Sequence, residues 1–221
     1  MNREKPRLNA IVFDFDGTLA KLNIDFALMK QGILELTAGY GVPTGALQGL
    51  FVLEMIAAGK ILVSQSYPGN EEEYLRRANE QIREIEIDAA KRGGLFEGTR
   101  EFLRELQDRG VRAGVISRNC RQAVAEVFPD IEDYTEAVLT REMTRRVKPH
   151  PEHLWATLRK LDTAPEGAAM VGDHPMDIRM GKELCVYTVG VLSGHSGRRE
   201  LEEAGADRII NRAADMAGLV L

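Results

Sequence analysis

Six short apolar runs set the strongest limit on how this chain can fold. They are Leu8–Phe13, Val111–Ile116, Ala137–Leu139, Ala168–Gly172, Val186–Val191 and Asp207–Ile210. Most lack the polar–apolar alternation of a half-exposed strand, so they read as strands buried on both faces. Helical patterns lie between them. Arg100–Arg109 places Phe102, Leu103 and Leu106 on one face, and Gln122–Phe128 forms a shorter segment. A helix after Pro151 sets Leu154, Trp155, Leu158 and Leu161 in line, with Trp155 read as core, and Arg198–Ala204 follows later. Strands alternating with helices predict an α/β fold, a doubly wound parallel sheet of about six strands. In such sheets ligands bind beyond the C-terminal ends of the strands.

The alternation breaks once, between Leu22 and Gly93. Phe26, Met29, Ile33, Leu34 and Leu36 keep helical spacing, as do Leu47, Leu50, Phe51, Glu54 and Met55. A long charged helix then opens at Asn70-Glu71-Glu72-Glu73, with Asn70 as its cap and acids in its first turn, and ends at Gly93-Gly94. A crossover between parallel strands needs one helix rather than three. The expected organisation is therefore a core of residues 1–21 and 94–221 with a small helical lobe, residues 22–93, inserted in it.

The strand ends carry the chemistry. The first strand runs into Asp14-Phe15-Asp16-Gly17-Thr18-Leu19. Two acids two residues apart on an extended chain point to one side, and Gly17 lets the chain turn or approach a ligand. Carboxylates held together require a proton or a cation between them. The next strand ends in Ser117-Arg118-Asn119, a hydroxyl just before a helix, where an anion can be held. Lys148 precedes Pro149-His150-Pro151, and Pro151 suits a first helical turn. Ala168–Gly172 ends in Asp173-His174-Pro175-Met176-Asp177. His150 and His153 lack a metal-ligand partner set and read as surface or helix-start residues. His174 reads as a turn residue. Ser193-Gly194-His195-Ser196-Gly197 is rich in glycine but lacks the ending and spacing of a phosphate loop.

Asp-Phe-Asp-Gly-Thr-Leu resembles the first motif of the haloacid dehalogenase superfamily, most of whose members are Mg²⁺-dependent phosphatases. Ser117 is similar to its second motif, Lys148 to its third, and Gly172-Asp173-x-x-x-Asp177 to its fourth, over nearly the whole chain from Leu8 to Ile210. The resemblance implies a helical cap at residues 22–93 that closes over the active site and chooses the substrate. It implies that Asp14 is the nucleophile and Asp16 the general acid and base, with Ser117 and Lys148 holding the phosphoryl group. Mg²⁺ would sit on Asp14, the Asp16 backbone carbonyl and Asp173, with Asp177 ordering a metal-bound water or the lysine. Thr18, Arg118 and Asn119 would bind substrate, and Arg118 and Arg146 are candidates for a substrate carboxylate. Charge balance points to a cation as well. Each carboxylate–phosphate repulsion at about 4 Å is worth roughly 4 kcal/mol at an effective dielectric near 20, more than one lysine can offset. A hard divalent ion suits oxygen ligands.

The implied activity is a phosphatase acting on a small phosphomonoester through an aspartyl-phosphate, with phosphoglycolate first among candidates. Alternatives are a sugar-phosphate mutase, a phosphonate hydrolase using Lys30 or Lys60, and a catalytically silent binding or regulatory member. A dehalogenase has no use for the acids at Asp173 and Asp177. A net charge of −5 with scattered basic residues argues against nucleic acid. No apolar run reaches the length of a membrane span. Met1–Arg7 is polar and lacks a signal core. Cys120 and Cys185, the only cysteines, read as thiols of a cytoplasmic protein, expected as a monomer or small homo-oligomer.

Overall fold

The computed structural model describes the backbone of residues 8–220 and the side chains of 8–218; Met1–Arg7, read above as polar and lacking a signal core, lies outside them. In chain order the elements begin with β1 (Ala10–Asp14), β2 (Ala20–Lys21), α1 (Phe26–Gly39), α2 (Val52–Ser66), α3 (Glu71–Lys91) and β3 (Gly94–Leu95). They continue through α4 (Thr99–Asp108), β4 (Arg112–Ile116), α5 (Arg121–Val127), β5 (Ala137–Leu139) and α6 (Glu152–Lys160). The chain closes with β6 (Ala168–Gly172), α7 (Pro175–Glu183), β7 (Tyr187–Val191), α8 (Arg198–Glu203), β8 (Arg208–Ile210) and α9 (Ala217–Val220). Two compact units result, one of Asn23–Arg92 and the other of the residues on either side of that span.

In the flanking unit a six-stranded sheet runs β5-β4-β1-β6-β7-β8, every neighbouring pair parallel. From β1 the chain winds outward one way through β4 and β5. It then returns to the other side of β1 with β6. The strand order thus reverses between β1 and β6, and at such a switch point the connecting segments part and leave a crevice. Central β1 is buried along its whole length, as its uninterrupted apolar sequence requires. The outermost strands β5 and β8 have three residues each, which limits exposed pairing edges.

Alternation along β1 decides which layer each side chain joins. Ala10 and Val12 pack with Leu154, Leu158 and Leu161 at α6 and with Met170 and Met180. Phe13 faces the opposite layer, edge-on to Phe102 of α4 at 5.8 Å. Asp14, two residues beyond Val12, therefore emerges on the α6 side. Trp155 does not join this core: it is 47% exposed. The buried face of α6 is His153, Leu154, Thr157 and Leu158, so one step of about 100° past Leu154 carries Trp155 outward. The same rotation buries His153 completely in the first turn of α6; of its reading as a surface or helix-start residue, the surface part is corrected and the helix start stands.

In the other unit α1, α2 and α3 pack on one another, and Met29, Ile33, Met55, Ile56, Val63, Ala78 and Ile82 on them are buried. Thr37 Oγ1 donates to the Ile33 carbonyl at 2.7 Å and accepts from the buried Tyr74 hydroxyl at 2.9 Å. Asn70 stands at the start of α3 but its side chain makes no cap bond; Glu71 instead accepts from the Gly69 N–H at 2.8 Å. The residues flanking the insertion form a two-residue antiparallel ladder, Ala20 opposite Leu95 and Lys21 opposite Gly94. No helix among the described residues is long and apolar enough to cross a membrane.

Leu158 is fully buried in the layer that fixes α6 against β1. Leu158→Ala should lower unfolding stability by about 2–5 kcal/mol, read from urea denaturation with an unchanged m-value. A loss below about 1 kcal/mol would mean that α6 is not held by this layer.

Candidate active site

Asp14 is the last residue of β1, and its neighbour across the switch point is the end of β6, where Asp173 begins the next loop. The loop after Asp14 is tight. The Phe15 carbonyl accepts from the N–H groups of Leu19 and Ala20, and Gly17 N–H donates to the Ala20 carbonyl at 2.7 Å. Gly17 adopts φ of +86°, and a Cβ there would lie 2.5 Å from Asp173 Oδ2. The loop can therefore fold against Asp173 only because this position has no side chain.

Lys148 reaches into the site from the loop before α6. Its ammonium is 2.5 Å from Asp14 Oδ1 and 2.8 Å from Asp177 Oδ1. The first contact is a hydrogen bond. The second is an ion pair. Burial alone would push the Lys148 pKa down, but Asp14 and Asp177 outweigh it and hold the pKa above the ordinary lysine range. Lysine is thus charged at any working pH.

Asp14, Asp173 and Asp177 are all buried, and one oxygen from each falls within 4.8 Å of the others. Burial first, then the charges of Asp14 and Asp177, push Asp173 up to about 8. Burial likewise raises Asp177, although Lys148 opposes it. Were all three ionised, they would carry an excess of negative charge over the one ammonium; burial and that excess together are why the pKa values of Asp173 and Asp177 rise. An all-oxygen donor set with that excess fits a hard divalent cation such as Mg²⁺. The Asp16 carboxylate stands outside this trio and accepts from the Leu22 N–H at 2.9 Å. Its pKa is raised, by burial above all and also by Asp14, with the Leu22 bond pulling the other way.

Asp173 and Asp177 are fixed by the start of α7. His174 Nδ1 accepts from the Met176 N–H at 3.1 Å, and Asp177 Oδ2 accepts from the His174 N–H at 3.2 Å, a reciprocal cap. His174 is therefore a helix cap as well as a turn residue. Asp173 is held from the far side by the glycine-rich segment after β7: the His195 N–H donates to Asp173 Oδ2 at 2.9 Å. Ser193 Oγ donates to the Gly17 carbonyl at 2.7 Å. A Cβ on Gly194 would stand 1.9 Å from Asp173 Oδ2 and 2.5 Å from its Cβ. Motif spacing alone does not reveal this buttress; the clustering of Gly194 and Gly197 around small polar residues is its trace in the sequence.

Ser117 follows Ile116, the register partner of Asp14, and its Oγ accepts from the Asn119 N–H at 3.1 Å. Arg118 is turned to the Lys148 loop, where Nη1 donates to the Lys148 carbonyl at 2.6 Å. Arg146 is exposed and lies 2.8 Å from His150 Nε2. Thr18 Oγ1 is buried without a hydrogen-bond partner among the described residues. The structure thus gathers Asp14, Lys148, Asp173 and Asp177 into one network, with Ser117 on the adjacent strand end, and gives Arg118 a contact with backbone.

The chain belongs to the haloacid dehalogenase-like hydrolase family, whose sequence model matches residues 11–191. It is 27% identical over 213 residues to pyrophosphatase PpaX of Bacillus cereus strain G9842, covering 95% of each chain. Among solved structures it superposes on a hydrolase from Pseudomonas syringae with a TM-score of 0.69 at 20% identity, covering 95% of this chain and 96% of that one. A predicted phosphoglycolate phosphatase from Haemophilus somnus gives 0.66 at 17% identity, over 97% and 99%. At those identities the two structures share the fold.

Gly194→Ala should push the Asp173 carboxylate out of place and, if the Asp14–Asp173–Asp177 cluster holds a divalent cation, weaken its binding by about 10–100-fold, measured by titration calorimetry with Mg²⁺. Gly197→Ala is the control, since a Cβ there would meet only Glu200 Oε2 at 3.8 Å; it should change the affinity by no more than about twofold. Equal effects of the two substitutions would remove Gly194 from the support of Asp173.

Proposed function

We propose that the chain is a Mg²⁺-dependent phosphohydrolase that works through an aspartyl-phosphate on Asp14. The observation that carries this reading is the buried Asp14 carboxylate held by the Lys148 ammonium, with Asp173 and Asp177 beside it. A desolvated carboxylate paired with an ammonium at a strand end can serve as a nucleophile. Mg²⁺, held by Asp14, Asp173 and the Asp16 carbonyl, would neutralise phosphate charge that one lysine cannot offset.

In the first half-reaction a carboxylate oxygen of Asp14 attacks phosphorus, and the bond from phosphorus to the leaving oxygen breaks. Asp16 gives its proton to that leaving oxygen; its raised pKa favours the protonated form this step needs. In the second, water attacks the phosphorus of the acyl phosphate, Asp16 takes back a proton, and Asp14 and inorganic phosphate are released. Lys148 balances charge on the transferring group. Ser117 Oγ already accepts one hydrogen bond, so its own proton can be given to a phosphoryl oxygen, with Asn119 bracing it. The Asn23–Arg92 unit is the part that would select the substrate.

The substrate class is a small phosphate compound. One reading is a phosphomonoester such as phosphoglycolate. The other is inorganic pyrophosphate, favoured by the similarity to PpaX along 95% of both chains. Comparison of kcat/KM for pyrophosphate, phosphoglycolate, sugar phosphates and a phosphopeptide, with Mg²⁺, decides between them. Preference for the phosphopeptide would sink both, and interconversion of sugar phosphates without phosphate release would indicate a mutase.

Asp14→Asn should abolish turnover and phosphoenzyme formation with folding intact, because an amide is not the attacking oxyanion. Asp16→Asn should slow both half-reactions, by about 10²–10⁴-fold. Near wild-type turnover in Asp14→Asn would reject the nucleophile assignment.

A further inference from the structure

Lys148 is fixed by its backbone as well as by its charged end. Its carbonyl accepts from Arg118 Nη1 at 2.6 Å, and its N–H donates to His153 Nδ1 at 3.3 Å. The other imidazole nitrogen, Nε2, lies 3.0 Å from the Leu139 carbonyl at the end of β5. His153 has no solvent exposure. Its partners fix its protonation: a backbone N–H can only donate and a carbonyl can only accept. Nδ1 must therefore be the bare nitrogen and Nε2 must carry the proton. An imidazolium would set one N–H against another.

We infer that His153 is a positioning residue for Lys148: its imidazole ties the Lys148 backbone to the end of β5 and thereby sets where the ammonium meets Asp14 and Asp177. The inference rests on the proposed role of Lys148. The pin is rigid at both ends. Leu139 belongs to the sheet, in register with Ile116. His153 belongs to α6, whose next turn follows from Thr157 Oγ1 donating to the His153 carbonyl at 2.9 Å. The loop carrying Lys148 has no regular structure of its own, so its lysine takes its place from these contacts. The environment supports the neutral form. Burial first, then the Lys148 charge, lower the His153 pKa to about 4. Histidine rather than an apolar residue is needed here because the Lys148 N–H would otherwise lose its acceptor in the interior, whereas the Leu139 carbonyl also accepts from the Ser117 N–H at 3.0 Å and serves as a fixed anchor.

The test uses the full chain and four variants, with the substrate that turns over fastest. His153→Leu removes both hydrogen bonds while filling the space, and His153→Asn restores an acceptor near Nδ1. Lys148→Ala reports on the underlying mechanism, and Leu158→Ala destabilises the same helix without touching Lys148. His153→Leu should lower kcat by about 10–100-fold, as expected for a small misplacement of a catalytic group, with KM nearly unchanged. His153→Asn should recover most of that loss, and Leu158→Ala should keep kcat near wild type. Wild-type kcat in His153→Leu, with Lys148→Ala inactive, overturns the inference and leaves the mechanism standing. An equal loss of kcat in Leu158→Ala also overturns it, since helix stability would then explain the effect. Full activity in Lys148→Ala overturns the mechanism and the inference with it. If His153→Leu does not fold, the imidazole of the wild-type protein decides. Nitrogen shifts of a bare Nδ1 and a protonated Nε2, unchanged from pH 7 to about pH 5.5, are expected. The opposite tautomer, or titration near the ordinary histidine pKa of about 6.5, refutes the pin.

Discussion

The ion pair between Lys148 and Asp14 is the contact on which the rest of the site depends. Both side chains are almost withdrawn from water. Ions lose several kcal/mol of hydration each on such burial, and only close, well-directed partners restore it. The fold supplies them from separate elements: Asp14 from β1, Lys148 from the loop before α6, and Asp177 from α7. Each is useless to the others unless the sheet order brings those elements to one end. The reversal between β1 and β6 does so, and it also places Asp173 opposite Asp14. The negative charge left over after Lys148 is counted is what gives the site its demand for a cation and its capacity to organise one.

Much of this was legible in the chain. The six apolar runs name the strands to within a residue or two, because strands buried on both faces have nothing to alternate. Asp14, Lys148, Asp173 and Asp177 sit where strand or helix boundaries can be read from Gly17, Pro151 and Gly172. What could not be read is orientation within α6. Leu154, Leu158 and Leu161 fix one line of that helix, but they do not say whether the wider face extends to residue 153 or to 155. The small side chain of Gly114 on β4 leaves room for Thr157 and Leu161, and this close approach turns His153 inward and Trp155 outward. That contact joins residues far apart in sequence and has no local signal.

The glycine-rich segment after β7 shows a different gap. Its sequence argues only against a phosphate loop. Its work is to give backbone N–H groups and empty volume to Asp173, and a backbone donor leaves no mark on residue type. Arg118 illustrates the converse. A guanidinium beside a strand-end serine invites a ligand-binding role, yet its Nη1 supports the carbonyl of Lys148. Side-chain identity shows which bonds are possible; packing decides which are made.

The short ladder of β2 and β3 has a consequence for how this chain can change. Because Ala20 and Lys21 face Leu95 and Gly94, and the Leu19 carbonyl accepts from both Phe96 N–H and Thr99 Oγ1, the chain leaves the sheet and returns to it at one doorway. The ends of the intervening segment are already joined, and the entropy of closing a loop rises only slowly with its length. Seen from the sheet, a mainly helical unit, Asn23–Arg92, occupies the place of a hairpin turn. Such a junction is a socket: segments of other lengths and surfaces could be fitted to it by recombination without redrawing the strand order, and the chemistry at the strand ends would be inherited intact.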